Sequence, residues 1–511
     1  MSRRLNRRDF LKLASAIPLG MVIPPFAKTL SPVPSLQGDR KNVLVVVFDA
    51  FSAHHLPVHG YSRNTTPNIS RLAERAIVYH NHYAGGNFTS PGTASLLTGS
   101  LPWSHRAFQQ YGTVTESFVD KNIFKAFEDV HRIAYSHNPL VNVLFRQFIQ
   151  DLDEYVPAER LMLTSDGIIP SLFAGDEDIA TVSWTRTMNK QEEGLEGHSY
   201  SLFLSELYKS YQENKIARFK PFFPRGLPSV KIGNYFLLEQ AMDQLADQLQ
   251  TIGGPFLGYF HFMPPHAPCT THRDFFGSFR NDGLQPEVKP EDLFTQNRNE
   301  QFLLRNRVSY DEYILYLDRE FARFFDILES SGLLKDTWVV LTSDHGELFE
   351  RGIRGHVTPV LYEPVVRIPL MIFEPGRSTR TDIYDSTTAA DILPTLLHVT
   401  GRKAAEWTEG RVLPPFDRAE TNRPIYSMHA MKNDPRAPLA QASVMLVSGR
   451  HKLMHIFGYQ ELPEKTGRTE LYDIEADPEE LHDLYGEQKQ IGADLLDQLK
   501  EKLKEVNQPY I

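Results

Sequence analysis

The sequence predicts an α/β protein, a large mainly parallel sheet sandwiched by helices, with a smaller α+β subdomain at its C-terminal end. Three observations carry this expectation. The segments KNVLVVVFDA (41–50), PFLGYFHFMPPH (255–266) and DTWVVLTSDHGE (336–347) are apolar runs that turn polar toward their ends, as strands buried on both faces do. Segments of helical period lie between them, chiefly 233–250 and 310–332, the second closing on Gly332. Strands alternating with helices imply a sheet covered on both sides, with ligands collecting beyond the carboxyl ends of its strands.

In chain order, residues 1–38 read as an export signal and linker. Arg7-Arg8 precede Phe10-Leu11-Lys12 and a modest apolar run to Ala27, the order of a twin-arginine signal. Pro18, Pro24 and Pro25 break that run, so it is too short for a stable bilayer span. The expected partner is the twin-arginine translocation machinery, and the expected location periplasmic or extracellular, with no integral membrane span in the mature chain. The single cysteine, Cys269, permits no internal disulfide in an oxidising compartment. Residues 39–415 read as the main domain. Within it, the stretch from about 110 to 235 has uneven periodicity and reads as insertions over the sheet, including the basic, aromatic ARFKPFFPRG (217–226). Residues 416–511 read as the subdomain, with short strands, a turn and a final helix, and DPEELHDL (477–484) as a helix start. A formal net charge of −10 argues against a general nucleic-acid binder, because polyanion affinity needs clustered positive charge.

The strand ends carry the chemistry. Asp49 closes the first run, and Asp344-His345 closes the third. With one alcohol they supply enough oxygen and nitrogen to surround a divalent ion, which suits Zn or Mn and permits Mg or Ca. The alcohol comes from NFTSPGTASLLTGS (87–100). There Ser90 suits a helix N-cap, Pro91 the first helical position and Gly99 the exit, which puts Thr89 at a helix amino terminus. Free N–H groups and the helix dipole favour an anion at that point. A threonine so placed often serves capping alone, and an acid or histidine at one strand exit is a common turn residue; it is their combination that points to a site. His54, His55, His59, His261 and His272 could form a second metal site, but their spacing gives no decisive ligand pattern and none is assigned.

GYSRNTTPNISRLAERA, TSPGTASLLTG, TSDHGE, VVRIPLMIF, ADILPTLLHVTG and ELYDIEADPEELHDL occur in that order. With them the chain resembles the sulfatase family of the alkaline phosphatase superfamily, over about 42–110, 236–275 and 308–415 and again near the C-terminus. The resemblance implies a sulfatase-like catalytic domain, one or two divalent metals, and attack on a sulfate or phosphate ester by an enzyme nucleophile. It makes Asp49, Asp344 and His345 metal ligands together with Thr89, and sets Thr89 at the nucleophile position. His266 falls on the active-site rim as a second catalytic residue and His356 faces the anion as a substrate-binding one, either of them suited to stabilise charge or protonate the leaving oxygen; His105 is a further substrate-binding candidate for the same pocket.

Departures from the family pattern shape the expected activity. Sulfatases begin a C/S-x-P-x-R motif with a Cys or Ser that becomes formylglycine; here Thr89 and Thr93 stand at the nucleophile and arginine positions. Formylglycine hydrate expels sulfate by collapsing to an aldehyde, a route closed to threonine. Ala50 follows Asp49 where many calcium sulfatases have a second Asp. The expected function is therefore an exported, metal-dependent sulfatase-like hydrolase or transferase acting on phosphate esters or diesters through Thr89. Its substrate would be a small anionic ester or a glycan or lipid head group. Sulfate ester hydrolysis is one alternative, and an inactive anion-binding protein on the same fold is another.

Overall fold

Val43 to Phe48 are buried on both sides, and the valine-rich run NVLVVVF forms the central strand β1 (Asn42–Phe48) because β-branched side chains favour an extended, two-face-packed backbone. The computed structural model describes residues 41–164, 199–231, 233–418, 420, 422–463 and 467–511; the expected export signal lies outside them. Around β1 the sheet adds β2 (Ile77–Tyr79), β3 (His131–Ser136), β4 (Glu154–Val156), β5 (Phe256–Phe262), β6 (Thr337–Ser343), β7 (Leu370–Phe373) and β8 (Thr381–Ile383). Their spatial order is β8-β2-β7-β6-β1-β5-β3-β4. β1 runs parallel to both β5 and β6, which brings the ends of all three apolar runs to one edge.

Alternate residues of β1 feed opposite layers, as the period of two requires. Leu44, Val46 and Phe48 pack with α1 (Pro67–Ala73), α4 (Leu238–Thr251) and α5 (Glu300–Ser330). Val43, Val45 and Val47 pack with α2 (Thr89–Thr98), α3 (Pro139–Gln147) and α6 (Ile392–Val399). In α4 the buried positions 238, 241, 242, 245, 246 and 249 form one stripe, and each leucine there contributes roughly 1.5–3 kcal/mol by burial. The C-terminal subdomain is an antiparallel sheet of β9 (Ile425–His429), β10 (Ala442–Ser448), β11 (His451–Phe457) and β12 (Arg468–Asp473), packed on α7 (Lys489–Asn507).

The structure departs from the sequence reading in four places. Residues 131–156, read as covering the sheet, supply two of its strands, and β3 lies directly beside β5. The strand within VVRIPLMIF, β7, runs antiparallel to both its neighbours, so the sheet is mixed. α5 starts ten residues earlier than its strongest apolar stripe suggests, because Asn299 caps it by accepting from Phe302 N at 2.9 Å. DPEELHDL is one short turn at Pro478-Glu479 followed by irregular chain and starts no helix; Glu480 there is buried with φ at 54°. Among the described residues no helix is long and apolar enough to cross a membrane.

Candidate active site

Asp49 follows β1 and Asp344 follows β6, so pairing of the two strands delivers both carboxylates side by side, wholly buried. The turn after Asp49 is tightly held. Ala50 adopts φ 59°, its N–H donates to Asp344 Oδ1 at 3.2 Å, and Tyr310 of α5 donates its hydroxyl to Ala50 O at 2.5 Å. Asp344 Oδ1 also accepts from His345 N at 3.1 Å. Asp49 Oδ2 accepts from Asn138, just after β3. That leaves Asp49 Oδ1 and Asp344 Oδ2 buried without a hydrogen-bond partner.

His345 faces these two orphaned oxygens. Its Nδ1–H donates to Gly346 O at 2.9 Å, which fixes the tautomer and leaves the Nε2 lone pair free. Nε2 lies 3.5 Å from Asp49 Oδ1, 3.5 Å from Asp344 Oδ2 and 3.3 Å from Thr89 Oγ1. Burial, reinforced by the neighbouring His356, drives His345 well below its ordinary pKa, so it is neutral and able to ligate. Burial and the charge of Asp49 push Asp344 well above the carboxylate range. Burial would raise Asp49 too, but the surrounding imidazoles, His266 first and then His261, outweigh it and hold Asp49 below its ordinary value. Two carboxylates and an imidazole with orphaned donor atoms within 4.8 Å of one another fit a divalent cation.

Thr89 opens α2, and the cap differs from the sequence reading. The helix begins at Thr89 after Phe88, whose side chain caps nothing, and Ser90 is not the N-cap: its hydroxyl is buried without a partner. The amino-terminal N–H groups of α2 are thus left for an anion. Gly99 closes the helix at φ 66°, as expected. Gly92 sets how close α2 comes to the acids: a Cβ there would lie 2.2 Å from Asp344 O, so only glycine lets the helix seat against the β6 exit.

Two further histidines complete the cluster. The ring of His356 lies 4.2 Å from that of His345 and 5.0 Å from that of His266. His356 Nδ1 meets Glu347 Oε2 at 3.0 Å; burial alone would lower its pKa, but the Glu347 charge and hydrogen bond raise it, favouring the imidazolium. His266 donates Nδ1–H to Ala267 O at 2.7 Å, leaving Nε2 free. His105 is not brought here. It is fully buried between Ser95 Oγ, 3.1 Å from Nε2, and Ala107 N, 3.1 Å from Nδ1, so one ring nitrogen is committed to α2 and the other to the chain just beyond His105, and burial lowers it to about 3.

Sequence reasoning missed Asn138, Glu347 and Asn87, and considered His261 without assigning it a role. Asn87 donates to His356 O at 2.9 Å and Thr358 O at 2.7 Å, and faces His429 of β9 at 3.0 Å, tying the subdomain to the loop of His356. Its position two residues before Thr89 was the available signal. His261 sits inside an apolar strand, where periodicity marks it only as core.

An acid pair, an imidazole and an alcohol at the carboxyl edge of a mainly parallel sheet, with an antiparallel sheet appended, define an ester hydrolase of the alkaline phosphatase superfamily. The sulfatase family model matches residues 41–144 and 168–402, and the model of the N-sulphoglucosamine sulphohydrolase C-terminal region matches 357–509. Choline-sulfatase of Rhizobium meliloti (strain 1021) is 23% identical over 475 residues, covering 87% of this chain and 82% of its own. The multifunctional alkaline phosphatase superfamily protein PehA of Trinickia caryophylli is 23% identical over 423 residues, covering 74% and 77%. Among solved structures, the phosphonate monoester hydrolase of Agrobacterium radiobacter superposes with a TM-score of 0.63 at 17% identity, covering 92% of this chain and 96% of that one. The chain belongs to the sulfatase family.

Proposed function

We propose that this chain is a metal-dependent hydrolase or transferase of phosphate esters or diesters, with Thr89 as the nucleophile. The observation that carries the reading is Thr89 Oγ1 at 3.3 Å from His345 Nε2, at an uncapped helix N-terminus beside two orphaned carboxylate oxygens. Asp49, Asp344 and His345 would hold the ion. When bound, a divalent ion lowers the pKa of the Thr89 hydroxyl and neutralises non-bridging oxygens of the ester. Thr89 Oγ1 then bonds to phosphorus as the bond to the leaving oxygen breaks, its own proton passing to water. The α2 N–H groups bind a non-bridging oxygen where negative charge develops. His356, whose imidazolium form Glu347 favours, binds the anion and donates a proton to the leaving oxygen, with His266 beside it on the rim. Water or a second alcohol then attacks the phosphoryl-threonine and restores Thr89. Export by the twin-arginine route, to act on an ester outside the cytoplasm, belongs to the same proposal.

Sulfate ester hydrolysis is the second reading, favoured by the match to choline-sulfatase along most of the chain. A screen of the purified chain on aryl phosphate monoesters, diesters and sulfates separates the two. Phosphoester turnover is expected to lead, and Thr89→Ala to lose about 10⁴-fold in kcat/KM. Acid-quenched protein should carry a phosphoryl group on Thr89 by mass spectrometry. Turnover surviving in Thr89→Ala overturns the nucleophile, and sulfate turnover above phosphate turnover selects the second reading.

A further inference from the structure

We propose that His261 is a fourth ligand of the same ion, supplying the donor that Ala50 cannot. This rests on the reading that Asp49, Asp344 and His345 hold that ion. His261 is wholly buried near the end of β5, and neither ring nitrogen has a hydrogen-bond partner. Buried polar groups are rarely left so, and one that is calls for a missing partner. Its Nε2 lies 3.4 Å from Asp49 Oδ2 and 3.7 Å from Asp344 Oδ2, close to the 3.5 Å that separates His345 Nε2 from each acid on its own side.

The placement is rigid. Val47 pairs with His261 in the parallel ladder, and Asp49 N donates to Phe262 O at 2.9 Å, so the imidazole and the first acid are locked in register across two central strands. Asn138 donates to the same Asp49 Oδ2 that His261 faces and so fixes that carboxylate. A set of two carboxylates and two imidazoles differs from an all-oxygen cage: it selects a zinc-class ion over calcium or magnesium, which prefer oxygen donors.

The test is metal binding by the full chain, read by elemental analysis and chelator competition with Zn²⁺ and Ca²⁺, with no substrate present. Wild type is expected to hold one Zn²⁺ and to prefer it to Ca²⁺. His261→Ala and His261→Gln should each lose more zinc affinity than the about 10–100-fold that a merely supporting residue costs. Electron spin-echo spectroscopy of the Cu²⁺-loaded protein should count two imidazole nitrogens in wild type and one in either variant. His261→Gln keeps a polar side chain, and its metal-free melting reports that the sheet is intact. Unchanged affinity and nitrogen count in both variants overturn the role of His261 alone. A wild type without a bound ion, or Asp49→Asn binding as wild type, overturns the ion site beneath it.

Discussion

Two clusters of buried charge can be compared within this molecule. At the carboxyl edge of the central sheet, Asp49, Asp344, His261 and His345 are wholly buried, yet Asp49 Oδ1, Asp344 Oδ2 and both nitrogens of His261 lack hydrogen-bond partners. At the seam between the central and C-terminal sheets, Lys452 is equally buried but sits 2.9 Å from Glu363 Oε1 and 2.8 Å from Glu480 Oε1. Glu480 Oε2 in turn accepts from Glu363 N at 2.8 Å, and Arg351 stacks on Tyr362 while donating to Glu480 O. Burial is the same in both; what differs is that the seam carboxylates have an ammonium within 2.9 Å, while the nearest imidazole to the two site acids stands 3.4 Å away. Charge with its partners inside the chain ties the subdomain to the central sheet; the acid pair at the edge, with its orphaned oxygens, fits a cation.

The largest stability effect should come from breaking the paired cluster. Lys452→Met leaves two carboxylates buried with their cation gone, and should cost about 3–5 kcal/mol in urea unfolding. A loss below about 1 kcal/mol would erase the contrast. A second effect lies on acid at the same seam. Burial holds His429 at about 4, below its ordinary value, so the fold favours its neutral form. Its contribution is intact above about 6.5 and erodes as pH falls from there through 4, with a slope of up to about 1.4 kcal/mol per pH unit for one proton. His429→Gln should flatten the unfolding profile by about one proton across that window and leave it unchanged above pH 7. The smallest effect belongs to the unpaired cluster. In chelator-treated protein Asp344→Asn keeps an acceptor for Ala50 N and removes a repelling carboxylate, so it should melt no lower than wild type and gain about 1 kcal/mol. A large loss there would place both clusters in one structural class.

Much of the edge was legible because its residues lie where apolar runs stop. Asp49, Asp344 and His345 each follow a strand whose pattern announces itself, and Thr89 precedes a proline and a small-residue helix. The remainder depends on distance in sequence. Asn138 reaches Asp49 across 89 positions through a strand too irregular in pattern to be read, and His429 meets Asn87 across 342. Glu480 looked like part of a helix start because Pro478 and clustered acids favour one, yet its burial against Lys452 outweighs that local preference. His105 failed for the opposite reason: its neighbourhood in sequence is right, but the chain turns at Arg106, with φ 63°, and folds the ring back onto α2.

Gly92 carries a consequence for how such an enzyme could diversify. With the α2 backbone seated directly on the carbonyl of Asp344, there is no clearance through which the Thr89 hydroxyl could be repositioned by sliding the helix. New specificities would have to be written in the surrounding loops, on an anvil whose face is already set.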